Sequence, residues 1–83
     1  MTAPAGGAHG GPVVVDARGL RCPAPVIRLA RAARDSPAGT ELTVLATDPA
    51  AVHDVPAWAR MRGHELVSSA EDDGVHTITV RTR

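Results

Sequence analysis

Apolar and polar residues follow two different periods along this chain. Val13 to Asp16 form a short β-branched run, which predicts a strand. Arg18 and Gly19 leave it through a turn. Val26, Leu29, Ala30 and Ala33 then recur at helical spacing, while Arg28, Arg31 and Arg34 fall every third residue on the other side. Pro37 and Gly39 stop that helix. The next run, Glu41 to Thr47, is nearly continuous in apolar character, as a central strand requires.

The following segment is harder to divide. Asp48-Pro49 has the form of an N-cap with proline at the first helical position, but Pro56 interrupts what comes after, and Asp54 could cap a fresh start. We read a short turn over Pro49–His53 and a helix over about Pro56–Arg62; a single kinked helix fits equally well. Gly63 provides the C-terminal stop. His64–Ala70 and Val75–Arg81 read as strands joined by Glu71-Asp72-Asp73-Gly74, and Asp-Gly between alternating residues signals a hairpin. In the last strand Val75, Thr77, Thr79 and Arg81 alternate with His76, Ile78, Val80 and Thr82.

The order is β-α-β-α-β-β. A βαβ crossover followed by short connections predicts an α+β fold: a two-layer α/β sandwich with a four-stranded mixed sheet and two helices on one face. At 83 residues the chain makes one small domain. Met1 to Pro12, composed after Met1 of Gly, Ala, Pro, Thr and His, is expected to form a flexible tail ahead of a domain over residues 13–83. The core must be largely aliphatic, because Phe and Tyr are absent and there is one Trp.

Charge and cysteine count exclude several functions. Nine basic residues balance nine acidic ones, which argues against direct nucleic-acid binding. Every base is Arg, so a lysine nucleophile or Schiff base is impossible. A single cysteine excludes an internal disulfide and any multi-cysteine metal site, and His53, His64 and His76 lack paired ligand spacing; neither a metal nor another cofactor is expected. No apolar stretch is long enough for a bilayer, and a free thiol suits a reducing cytoplasm.

That cysteine is the residue best placed for chemistry. Cys22 lies in Gly19-Leu20-Arg21-Cys22-Pro23-Ala24-Pro25, at a strand-to-helix turn. The helix dipole there favours negative charge, and Arg21 and Arg18 are close in sequence, so a moderately activated thiol is expected. Pro23 and Pro25 fit a helix start but remove two amide donors. A cysteine hydrolase also needs a base and an oxyanion hole. No histidine is spaced to pair with Cys22, and Asn and Gln are absent altogether. A thiol without catalytic machinery suggests that sulfur itself is the cargo. The competing reading is a non-catalytic regulatory or interaction module in which Cys22 is structural or redox-sensing.

Other residues carry two readings each. Arg28, Arg31 and Arg34 form either a docking stripe for an acidic partner or a solvated face. Asp48 and Asp54 read first as helix caps, with Pro49 and Pro56 shaping the loop. Trp58 reads as core, and His9 belongs to the tail.

Asp16-Ala17-Arg18-Gly19-Leu20-Arg21-Cys22-Pro23-Ala24-Pro25 resembles the signature of the TusA (SirA-like) sulfur-carrier family, whose hallmark is Cys-Pro-any-Pro. The resemblance continues at Pro37-Ala38-Gly39, Thr47-Asp48-Pro49-Ala50, Asp54-Val55-Pro56 and Gly63-His64-Glu65-Leu66, and so covers residues 13–82. Ala24 departs from the acidic or polar residue usual there. The resemblance implies the same two-layer fold and a persulfide carried on Cys22, with Pro23 and Pro25 positioning the helix start. It further implies a cysteine desulfurase or rhodanese-like donor and a downstream acceptor in tRNA thiolation, molybdenum-cofactor maturation or sulfur oxidation. It places the Asp48–Pro56 loop near the cysteine, where partner recognition is expected. A monomer that does not catalyse a reaction alone is the simplest form of such a carrier.

Overall fold

Alternating burial along the strands builds the sheet. In a computed structural model describing residues 12–83, strands β1 (Val13–Ala17), β2 (Glu41–Ala46), β3 (Glu65–Asp72) and β4 (Val75–Arg81) form one sheet in the order β1-β2-β4-β3. The tail expected over Met1–Pro12 lies outside the described residues except for Pro12. β1 and β2 are parallel, with Val13 opposite Leu42 and Ala17 opposite Ala46. β4 runs antiparallel to both β2 and β3, which makes the sheet mixed.

Leu42, Val44 and Ala46 of β2 and Ile78 and Val80 of β4 share one face and are fully buried. Helices α1 (Ala24–Arg34) and α2 (Ala51–Arg62) cover that face. α1 contributes Pro25, Leu29 and Ala33 to the core, and α2 contributes Ala51, Val55, Trp58 and Ala59. The small alanines let helix and sheet backbones approach closely, so a core without Phe or Tyr still closes. The opposite face is polar: Thr43 and Thr79 hydrogen-bond across the strands at 2.8 Å, and Arg81 bridges Glu41 at 2.8 Å and Glu65 at 3.2 Å.

Three local features anchor the ends. The hairpin turns on Asp73 and Gly74, with φ of 55° and 84°, the left-handed pair a two-residue hairpin needs. Gly63 closes α2 at φ 78°, and the His64 amide donates to the Ala59 carbonyl at 2.8 Å. Near the C-terminus, the buried Thr82 hydroxyl accepts the Thr40 amide at 3.0 Å and donates to the Pro37 carbonyl at 2.9 Å, pinning the entry to β2.

α2 differs from the reading favoured above. It is one helix from Ala51 to Arg62 with Pro56 inside it, the alternative left open, and it does not restart at Pro56. The chain enters it through a tight turn: the Ala51, Val52 and His53 amides donate to the Asp48, Pro49 and Ala50 carbonyls. With the coil established there, Pro56 removes one further ladder bond without ending the helix.

Candidate functional site

Parallel pairing of β1 with β2 places the two strand-to-helix turns side by side. Past β1, Gly19 takes φ 81°, and its amide donates to the Thr47 hydroxyl at 2.9 Å. Past β2, Asp48 uses both carboxylate oxygens. Oδ1 accepts the Ala50 amide at 3.0 Å, and Oδ2 accepts the Cys22 amide at 2.9 Å. Asp48 therefore caps its own turn and also ties the cysteine to the second loop. Those two amides hold its carboxyl below the usual range, with the nearby charges of Arg21 and His76 adding to the effect.

Cys22 sits half-buried in this junction, at the start of α1. The Ala24 amide donates to the Arg21 carbonyl at 2.9 Å, closing the turn around it, and the Cys22–Pro23 bond is cis. Asp54 stands in the first turn of α2, near enough for its carboxylate to act on this thiol. Burial, then Asp54, then the charge of Asp48 push this thiol up from 9.0 to about 11. The group is protonated at neutral pH.

Two expectations are corrected here. The first is that Arg18, Arg21 and the helix end favour a thiolate. Arg18 instead forms a fork with Asp16, at 2.9 Å from Nε and 2.8 Å from the terminal nitrogen. This pair holds Asp16 at about 2 and is exposed to solvent, and Arg18 is not among the groups that act on the thiol. Arg21 is exposed and acts on Asp48. At the helix end the Ala24 amide is already taken, Pro25 has none, and Ile27 donates to Pro23. Two carboxylates and burial outweigh what remains.

The second correction concerns Asp54. It caps nothing: it lies within α2, its amide donates to the Ala50 carbonyl at 2.9 Å, and its charge acts on the thiol. Thr47 and His76 were not singled out as site residues, yet one braces Gly19 and the other faces Asp48. Topology was the available signal. In a parallel pair the carboxyl ends of both strands lie on one edge, so whatever follows β2 must meet Cys22.

A cleft of about 500 Å³ opens beside the cysteine turn, lined by Gly19, Leu20, Arg21, Thr47, Asp48 and Pro49. A second groove of about 590 Å³ runs between the helices, with Ile27, Ala30 and Trp58 along it and Arg31, Arg34 and Arg62 at its rim. Arg28, on the first turns of α1, acts on Asp16 and so stays near β1. Trp58 is core, 8% exposed, and its ring packs 5.1 Å from that of His64. Among the described residues, no three His, Cys, Asp or Glu side chains converge as metal ligands.

Known proteins share this fold. The family model described as Sulfurtransferase TusA matches residues 13–82. The sulfur carrier protein TusA of Pseudomonas aeruginosa is 39% identical over 75 residues, covering 90% of this chain and 95% of that protein. The sulfur carrier protein TusA of Pseudomonas putida is 41% identical over 70 residues, covering 84% and 88%. The crystal structure of a SirA-like protein from Desulfitobacterium hafniense aligns with a TM-score of 0.76 at 30% identity, over 83% of this chain and 95% of that one. The match runs from the first residue of β1 to the buried Thr82, and with it the chain belongs to the TusA family of sulfur carriers.

Proposed function

We propose that this protein carries sulfur as a persulfide on Cys22, loaded by a cysteine desulfurase or a rhodanese-like enzyme and passed to a downstream acceptor. The observation that carries the reading is the placement of one half-buried cysteine on a turn whose neighbouring residues line a cleft, tied to the second loop through Asp48, in a chain of the TusA family. Loading exchanges one S–S bond for another: the sulfur of Cys22 bonds the terminal sulfur of the donor's persulfide, and the donor leaves as a thiolate. Unloading repeats the exchange with the acceptor's thiol. The carrier needs no cofactor and does not turn over alone. A monomer working in the cytoplasm, without direct contact with nucleic acid, fits this role. The acceptor pathway is tRNA thiolation, molybdenum-cofactor maturation or sulfur oxidation.

Partners must reach both ends of this surface. Asp48, Pro49, Asp54 and Pro56 present the loop and helix beside the thiol, and Arg28 and Arg31 lie on the exposed side of α1. No ion pair among the described residues includes Arg28, Arg31 or Arg34, so these cations are available to an acidic partner surface. The redox-sensor alternative is disfavoured, because sensor thiols are low-pKa and exposed, whereas Cys22 is protonated and half-buried.

The test is transfer of radiosulfur from labelled cysteine by a desulfurase, with a rhodanese and labelled thiosulfate in parallel. Reducible label on the wild type with either donor, absent from Cys22→Ser, is the expected result. Arg31→Glu should slow loading by the protein donor and leave loading by glutathione persulfide unchanged. Label on neither arm would overturn the carrier reading.

A further inference from the structure

Two hydrogen bonds cross from the cysteine turn to the turn after β2, and they end on consecutive residues. The Gly19 amide donates to the Thr47 hydroxyl at 2.9 Å, and the Cys22 amide donates to Asp48 Oδ2 at 2.9 Å. The carboxylate is itself held, because its Oδ1 accepts the Ala50 amide at 3.0 Å. Neither crossing bond belongs to the β1–β2 ladder, whose register ends at Ala17 opposite Ala46. Within the cysteine turn the other bonds are local: the Leu20 amide donates to the Ala17 carbonyl at 3.2 Å, and the Ala24 amide to the Arg21 carbonyl at 2.9 Å. Pro23, the next residue along, has no N–H to offer. The Cys22 backbone is thus fixed from outside its own turn, by a carboxylate oxygen 26 positions away in sequence.

Exchange between sulfurs needs the attacking sulfur close to the axis of the S–S bond that breaks. A cysteine side chain has a single rotatable bond ahead of its sulfur, so fixing the backbone of Cys22 confines Sγ to a few staggered positions. Resting on the carrier reading, we infer that Thr47 and Asp48 are positioning residues for sulfur transfer: together they clasp the Gly19–Cys22 turn and hold Cys22 where Sγ meets a partner's S–S bond in line. Both act through the backbone of the turn, and neither exchanges a bond or a proton. The same clasp serves loading and unloading, because both break an S–S bond along the axis of the same sulfur.

Charge and geometry predict opposite effects at Asp48. After burial and Asp54, the negative charge of Asp48 also raises this thiol. Asp48→Asn removes that charge and replaces one of the two acceptor oxygens with an NH2 group. Alkylation by iodoacetamide at pH 8 follows the thiolate and tolerates many approaches, so it should hold the wild-type rate or rise. Transfer should instead slow. With a persulfide-loaded cysteine desulfurase, and a persulfide-loaded rhodanese in parallel, single-turnover transfer to excess carrier should lose about tenfold or more of its saturating rate. The half-saturating carrier concentration should stay at the wild-type value.

Thr47→Val removes the other acceptor and changes no charge. It should slow saturating transfer by about threefold or more and leave alkylation unchanged, whereas Thr47→Ser, which keeps the hydroxyl, should retain the wild-type rate. Urea unfolding curves identify the variants that are folded, and a slowed rate counts only in those; the Thr47 pair tests the clasp even where Asp48→Asn does not fold. Transfer by Asp48→Asn that rises in step with alkylation would overturn the role, because Asp48 would then act through its charge alone. A raised half-saturating concentration at an unchanged saturating rate would overturn it as well, since docking and not alignment would be lost. Wild-type saturating rates in both Asp48→Asn and Thr47→Val would do the same. Failure of the wild-type protein to take sulfur from either donor would overturn the carrier reading instead, and this role with it.

Discussion

Cys22 shows how a residue's chemistry is set by neighbours remote in sequence. Arg18 and Arg21 adjoin it in the chain, but burial sets its ionisation first, and after it the carboxylates of Asp54 and Asp48, remote in sequence. The thiol should therefore titrate at about pH 11, followed by the ultraviolet absorbance of the thiolate. A midpoint at or below the ordinary 9.0 would contradict this. The sign carries over to stability. The folded state binds this proton more tightly than the unfolded chain does, so the stabilisation is complete below pH 9.0 and is lost as pH rises through about 11. Between those values wild-type protein should lose more of its urea midpoint than Cys22→Ser does. The thiol's position at an element end was legible in the sequence, because the prolines and the preceding strand mark it. Its protonation was not, because sequence adjacency does not show which side chains turn toward the sulfur.

At the scale of elements, patterns with a local cause were legible and patterns with a tertiary cause were not. The last strand runs from Val75 to Arg81 as its alternation requires, and the hairpin turns where Asp-Gly stands. Gly74→Ala should cost about 1 kcal/mol, because a β-carbon is disfavoured at its φ of 84°, although the space around it is open. An unchanged urea midpoint would contradict that assignment. α2 was read less well. Pro56 looked like a boundary because proline removes a hydrogen bond, yet helix packing through Val55, Trp58 and Ala59 holds the segment continuous. A helix restarting at Pro56 would leave Asp54 outside it as a cap, whereas the continuous helix takes Asp54 into its first turn.

At the scale of the molecule, one aliphatic layer supports everything else. Leu29 is fully buried between α1 and the sheet, on the helix whose first residue follows the cysteine turn. Leu29→Ala should cost about 2–5 kcal/mol in urea unfolding, a large share of the stability of so small a domain. A loss under about 1 kcal/mol would mean that the layer is not packed as described. The two-layer order follows from hydrophobic period and turn residues, so it could be read from the chain. The meeting of two loops at one edge follows from the parallel register of β1 and β2, which no local pattern encodes. The whole account converges on a single sulfur atom, and one measurement addresses it directly. Intact-protein mass spectrometry after incubation with a cysteine desulfurase and cysteine should show a reducible gain of one sulfur on the wild type and none on Cys22→Ser. An equal gain on both proteins, or none on the wild type with any persulfide donor, would contradict it.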